Sequence, residues 1–86
     1  MKKFTRDEIE KKVGEVIVDT LYNVKPEEIR PEAKLVADLG ADSIDAVEVC
    51  MELDKAFCIN IPDEDFYALK DMNVREVCDL VERMLR

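Results

Sequence analysis

Two short stretches near the ends of the chain each carry a complete helix-start signal, and together they restrict the fold to helices. In Phe4-Thr5-Arg6-Asp7-Glu8-Ile9, Thr5 caps a helix, Glu8 reaches back to the cap amide, and Phe4 and Ile9 occupy the staple positions. In Met72-Asn73-Val74-Arg75-Glu76-Val77, Asn73 and Glu76 repeat the box, with Met72 and Val77 as the staple. Ile9, Val13, Val16, Ile17, Thr20 and Leu21 recur at helical spacing after the first start, which predicts a helix over 6–21. Val74, Val77, Cys78, Val81 and Leu85, with Leu80 and Met84 flanking, predict a last helix over 74–85. No segment alternates as a strand would.

Between these lie three further segments. A long connection spans 22–42, where Pro26 suits the first position of one helical turn and Pro31 ends it. Val24, Ile29, Leu35, Val36 and Leu39 are its expected apolar anchors. A second helix over 43–57 follows, with Asp42 as its cap. Ile59-Asn60-Ile61-Pro62 is extended, because the residue before proline is pushed out of helical geometry. Residues 63–69 form a short third helix with Phe66 and Leu69 inward. The expected fold is all-α, a four-helix bundle with a short third helix and a long loop between the first two. At 86 residues, the whole chain, 1–86, makes one small domain.

The second helix carries one apolar face more than a surface helix needs. Projected at about 100° per residue, Ala46, Val49, Cys50, Leu53, Ala56 and Phe57 form a core stripe. Ile44, Val47 and Met51 form a second cluster roughly a quarter to a third of a turn away. The plain reading makes this the edge of a broad core; the alternative makes it a docking surface, in which methionine adapts to differently shaped partners. Charge favours docking. From Leu35 to Asp54 there are six acids (Asp38, Asp42, Asp45, Glu48, Glu52, Asp54) and no lysine or arginine. Like charges three or four residues apart on a helix cost stability, and a basic partner would use the field they create. The whole chain agrees, with 13 basic against 21 acidic residues and a net charge of −8. Nucleic acid and anionic membrane surfaces are excluded as partners on the same ground.

Ser43 is the only serine, and it opens this helix. A serine nucleophile needs a base to take its proton, yet the chain has no histidine, and Gly40-Ala41-Asp42-Ser43-Ile44 is not a nucleophile elbow. The chain is therefore not expected to be an enzyme. Ser43 can help to cap the helix, or it can be acted upon. Unpaired amides and the positive dipole end tolerate a phosphate ester at this position, and Gly40 lets the preceding backbone turn freely. Asp38-Leu39-Gly40 breaks calcium-loop spacing. Cys50, Cys58 and Cys78 form no CxxC pair and no zinc set. They are expected to be reduced and structural, in a cytoplasmic protein with neither a leader nor a membrane-spanning segment.

Asp38-Leu39-Gly40-Ala41-Asp42-Ser43-Ile44-Asp45 resembles the DLGADSLD motif of acyl carrier proteins. The likeness continues through Val47-Glu48, Met51, Phe57 and Ile61-Pro62-Asp63-Glu64, and covers nearly the whole chain. It implies a phosphoprotein with 4′-phosphopantetheine attached to Ser43, moved there from coenzyme A by a phosphopantetheinyl transferase with Mg²⁺. Acyl cargo would ride on the arm as thioesters, delivered as a monomer to enzymes of fatty-acid, lipid or polyketide synthesis that present basic patches. The resemblance further implies docking through Asp42, Ile44, Asp45, Val47, Glu48 and Met51. It also implies an acyl pocket among the helices, for which Leu53, Phe57, Ile61, Leu69 and Val77 are the lining candidates. Ile44 in place of leucine, the cysteines at 50 and 58, and the bulky Phe66-Tyr67 depart from the commoner fatty-acid type and leave the cargo open. Two other readings stand beside this one: a carrier for amino acids or peptides, against which the acidic motif weighs, and a helical interaction module with no prosthetic group.

Overall fold

The computed structural model describes residues 4–86. Four α-helices follow in order: α1 (Arg6–Thr20), α2 (Ser43–Phe57), α3 (Asp63–Leu69) and α4 (Val74–Met84), with one 3-10 turn at Pro26–Glu28 between α1 and α2. Both predicted capping boxes form. Thr5 Oγ1 accepts the Glu8 amide at 3.2 Å and Glu8 accepts that of Thr5 at 2.8 Å. Asn73 and Glu76 exchange the same pair at 2.8 and 2.9 Å. Helices α1 and α4 each end one residue before the predicted stop, because Leu21 turns to extended backbone and Leu85 serves as the cap. Among the described residues there is no strand, only an isolated antiparallel bridge between Lys34 and Asn73.

α1 packs against both α2 and α4, and α3 packs on α2. Ile9, Val13 and Ile17 of α1 meet Val49 and Leu53 of α2 and Val77 and Val81 of α4 in one buried cluster, as their helical spacing requires. The start of α1 is also tied to α4 by charge. Arg6 reaches Glu10 at 3.0 Å, Asp79 at 2.9 Å and Glu82 at 2.8 Å, so one guanidinium fork serves three carboxylates on two helices.

The long connection is held by its backbone as much as by its apolar residues. The amide of Val74 donates to Ala33 O at 2.9 Å, that of Arg75 to Pro31 O at 2.8 Å, and that of Leu35 to Met72 O at 3.2 Å. The loop is thus laced to the turn before α4 and to the first residues of α4. Val24, Leu35 and Leu39 are buried as expected. Val36 departs from expectation: it is exposed, because the turn over 34–39 carries its side chain outward. Leu69 of α3 is buried, whereas Phe66 is only half-buried.

Candidate functional site

The approach to α2 is set by three backbone features. Ala41 is buried and its amide donates to Leu35 O at 2.9 Å, which fixes where the helix begins. Gly40 before it has φ +75°, in the left-handed region, and a side chain placed there would meet nothing within 4 Å. Asp42 then caps α2: its Oδ1 accepts the Asp45 amide at 2.8 Å, and Asp45 Oδ2 accepts the Asp42 amide at 3.1 Å.

Ser43 is consequently the first helical residue and not the cap. It is exposed, and its hydroxyl has no hydrogen-bond partner among the described residues. The amides of Ser43 and Ile44 likewise have no acceptor among those residues, as expected for the first turn of a helix. An exposed hydroxyl, two outward amides, the positive end of a 15-residue helix and open space over Gly40 suit a phosphate ester. Among the described residues there is no metal-holding cluster, and the neighbouring carboxylates of Asp42 and Asp45 accept backbone amides.

Beside Ser43, α2 shows the two faces that its sequence implied. Ala46, Val49, Cys50, Leu53 and Phe57 are buried, while Ile44, Val47 and Met51 are 68%, 38% and 49% exposed. Among the described residues all three members of the second cluster therefore remain exposed, Val47 the least. Glu48 and Glu52 flank it in solvent, Glu52 lying 3.5 Å from Lys55.

The acids around the site divide by role, which the sequence alone did not separate. Asp38 accepts the Lys34 amide at 2.8 Å. Asp54 is half-buried, and its Oδ1 accepts the Ile61 amide at 3.0 Å. Its carbonyl takes the amides of Cys58 and Ile59, the latter at 3.1 Å. Asp54 therefore shapes the chain leaving α2 and is not part of the outward acidic face. The signal that could have revealed the Asp42–Asp45 box was their spacing of three, the same as in the Thr5 and Asn73 boxes. The Asp54–Ile61 tie and the Arg6 fork have no local signature.

The five lining candidates come from α2, α3, α4 and the segment between α2 and α3. Leu53, Phe57, Ile61, Leu69 and Val77 are all buried in the same core cluster. Phe57 also forms a wall of a cleft of about 550 Å³ at the far end of α2, together with Phe4, Ala56, Ile59, Met84 and Leu85. Its ring meets that of Phe4 edge-on, with centroids 5.0 Å apart. Cys50 and Cys78 are buried, and burial pushes their thiols up to about 12 and about 11. Cys58 is exposed and adopts a left-handed backbone, φ 55°.

The family described as "Phosphopantetheine attachment site" matches residues 11–81. A curated acyl carrier protein from Wolinella succinogenes is 49% identical over 70 residues, which cover 81% of this chain and 88% of that protein. The chain belongs to the acyl carrier protein family. The fold says the same. The structure matches one from a study of the thermal stability of the Enterococcus faecalis acyl carrier protein, with a TM-score of 0.74 and 27% identity, over 94% of this chain and 99% of that one. The four-helix bundle is thus the acyl carrier fold, and the prosthetic group of this carrier is phosphopantetheine. No described helix is long and apolar enough to cross a membrane.

Proposed function

We propose that the chain is a discrete carrier domain over residues 1–86 and that Ser43 is its attachment residue. The observation that carries this is the position of the lone serine: exposed at the first turn of α2, its hydroxyl unbonded, with the capping role already filled by Asp42 and Asp45. As an acyl carrier protein it holds cargo for other enzymes and is not itself a catalyst. When attached, the 4′-phosphopantetheine arm supplies a terminal thiol that takes acyl groups as thioesters.

The chain's own residues prepare the attachment. A phosphopantetheinyl transferase forms the bond from Ser43 Oγ to the phosphorus of coenzyme A. The bond to the nucleotide phosphate breaks, and the serine proton leaves to the transferase. The Asp42–Asp45 box holds the first turn rigid, so the hydroxyl stands at a fixed place. The amides of Ser43 and Ile44 are without an acceptor among the described residues and would be available to the phosphate, whose charge the dipole of α2 would favour. Gly40 leaves the approach open.

Docking falls to Ile44, Val47 and Met51, rimmed by Asp42, Asp45 and Glu48. An apolar grip with an acidic border fits enzymes that present a basic patch, whose charges steer the encounter. Leu53, Phe57, Ile61, Leu69 and Val77 would line an acyl chain drawn into the core. The partners are a transferase and acyl-processing enzymes of fatty-acid, lipid or polyketide synthesis. The chain works as a monomer in the cytoplasm, where its free cysteines stay reduced.

Incubation with coenzyme A, Mg²⁺ and a phosphopantetheinyl transferase tests the assignment by intact mass. One phosphopantetheinyl group is expected on the wild-type chain and none on Ser43→Ala, whose circular dichroism stays that of a folded helical protein. Modification that survives the substitution overturns it.

A further inference from the structure

Gly14 lies in the interior of α1, and nothing in the fold asks for a glycine there. Its backbone is helical, and an added Cβ would meet only Ile29 Cγ2, at 3.6 Å, an ordinary contact. Glycine inside a helix destabilises it relative to alanine. A cleft of about 460 Å³ lies between α1 and the 3-10 turn, with Gly14, Val18, Pro26 and Ile29 among its lining residues.

The rim of this cleft is negative. Glu10 on one side is held by Arg6 at 3.0 Å, but Glu15 and Asp19 make no ion pair among the described residues. Asp19 sits in the last turn of α1, which contains no basic residue. A carboxylate at a helix C-terminus adds to the negative end of the dipole. Two locally unfavourable choices, an interior glycine and an uncompensated acid, thus converge on one cleft. Lys11 and Lys25 lie nearby in sequence, yet neither is paired with these acids.

An apolar floor with a negative rim is the complement of a basic segment that carries an apolar side chain. We infer that the α1 cleft is a second docking surface, taking a protein-partner segment in which an apolar side chain is flanked by lysine or arginine. The apolar side chain rests on Gly14, Val18 and Ile29, and the cation meets Glu15 and Asp19. None of the lining residues belongs to α2. A partner held here therefore leaves Ser43 and the Ile44–Met51 face free, and this surface does not depend on the assignment of Ser43.

Titration of the ¹⁵N-labelled full chain with a short peptide of alternating lysine and leucine tests the inference. Saturable shifts are expected at Gly14, Val18 and Ile29, unchanged in Ser43→Ala. The pair Glu15→Lys and Asp19→Lys should weaken binding about tenfold or more, as loss of complementary charge does. Gly14→Met should abolish these shifts while the melting temperature holds or rises, since methionine is the better helix former. This combination separates a filled cleft from a damaged fold. Three results overturn the inference: shifts confined to the α2 face or absent, undiminished binding by Gly14→Met, or equal binding of a lysine–serine peptide.

Discussion

Asp42 and Asp45 cap each other's amides across Ser43, at 2.8 and 3.1 Å. The two carboxylates that crowd the serine are thereby occupied with the backbone, and the hydroxyl between them is left unbonded. A capping serine is costly to lose, whereas the cap here is Asp42 and not Ser43.

The first prediction follows directly. Asp42→Ala should lower stability by about 1 kcal/mol, the usual loss of a helix cap. Ser43→Ala should change it by no more than about 0.5 kcal/mol, as for an exposed residue without partners. Urea denaturation followed by circular dichroism measures both. A larger loss in Ser43→Ala would show that the hydroxyl supports the fold.

A second prediction concerns the uncovered face of α2. Met51 is 49% exposed, so Met51→Glu should alter stability by no more than about 0.5 kcal/mol. Loading of Ser43 by a transferase should nevertheless slow by about tenfold, the effect of losing roughly 1.4 kcal/mol of docking energy. Initial rates read by intact mass decide this, and an unimpaired rate would remove Met51 from the docking face.

The cysteines give a third. With Cys50 and Cys78 buried and Cys58 exposed, a thiol reagent should label one cysteine in the native apo chain and three after denaturation. The raised thiols also make stability fall in alkali. Below the ordinary thiol value of 9.0 both folded and unfolded chains hold these protons, and stability does not change on their account. Above it the unfolded chain ionises first, and stability declines until the folded values of about 11 and 12 are reached. The slope is set by the difference in bound protons. Urea midpoints between pH 9 and 11 should drop less steeply in a Cys50→Ala, Cys78→Ala variant, and an equal slope would refute the assignment.

Cys58 supplies a fourth. It ends α2 with φ 55°, a conformation that costs an ordinary residue about 1 kcal/mol or more and glycine very little. Cys58→Gly should therefore raise stability by about 1 kcal/mol by thermal denaturation, although glycine ordinarily weakens a chain.

Much of the bundle was legible in the sequence because its signals are local. The Thr5–Glu8 and Asn73–Glu76 boxes each lie within one helical turn, and the apolar spacing of Ile9, Val13 and Ile17 names its own buried face. The helix starts were read to the residue; the two misplaced ends, at Leu21 and Leu85, and the outward turn of Val36 fell where no cap residue or proline marks the position. The exposed cluster of Ile44, Val47 and Met51 was visible for the same local reason, as a second stripe on one helix. Less legible was the division of labour among the acids. Asp42, Asp45 and Glu48 look alike along the chain, and so does Asp54, until Asp54 is found holding the Ile61 amide at 3.0 Å. Arg6 gave no hint of its reach to Glu82, 76 positions away.

The sequence by itself determined the helices, the place of Ser43 at the head of α2, and the family to which the chain belongs, since periodicity, caps and a contiguous motif are written within a few residues of one another. Only the tertiary structure decided which carboxylates hold backbone amides, which cysteines are shut away, and that Gly14 and Ile29 line one cleft. Each of those depends on two segments distant in sequence meeting in space, and burial and hydrogen bonding exist only after they have met.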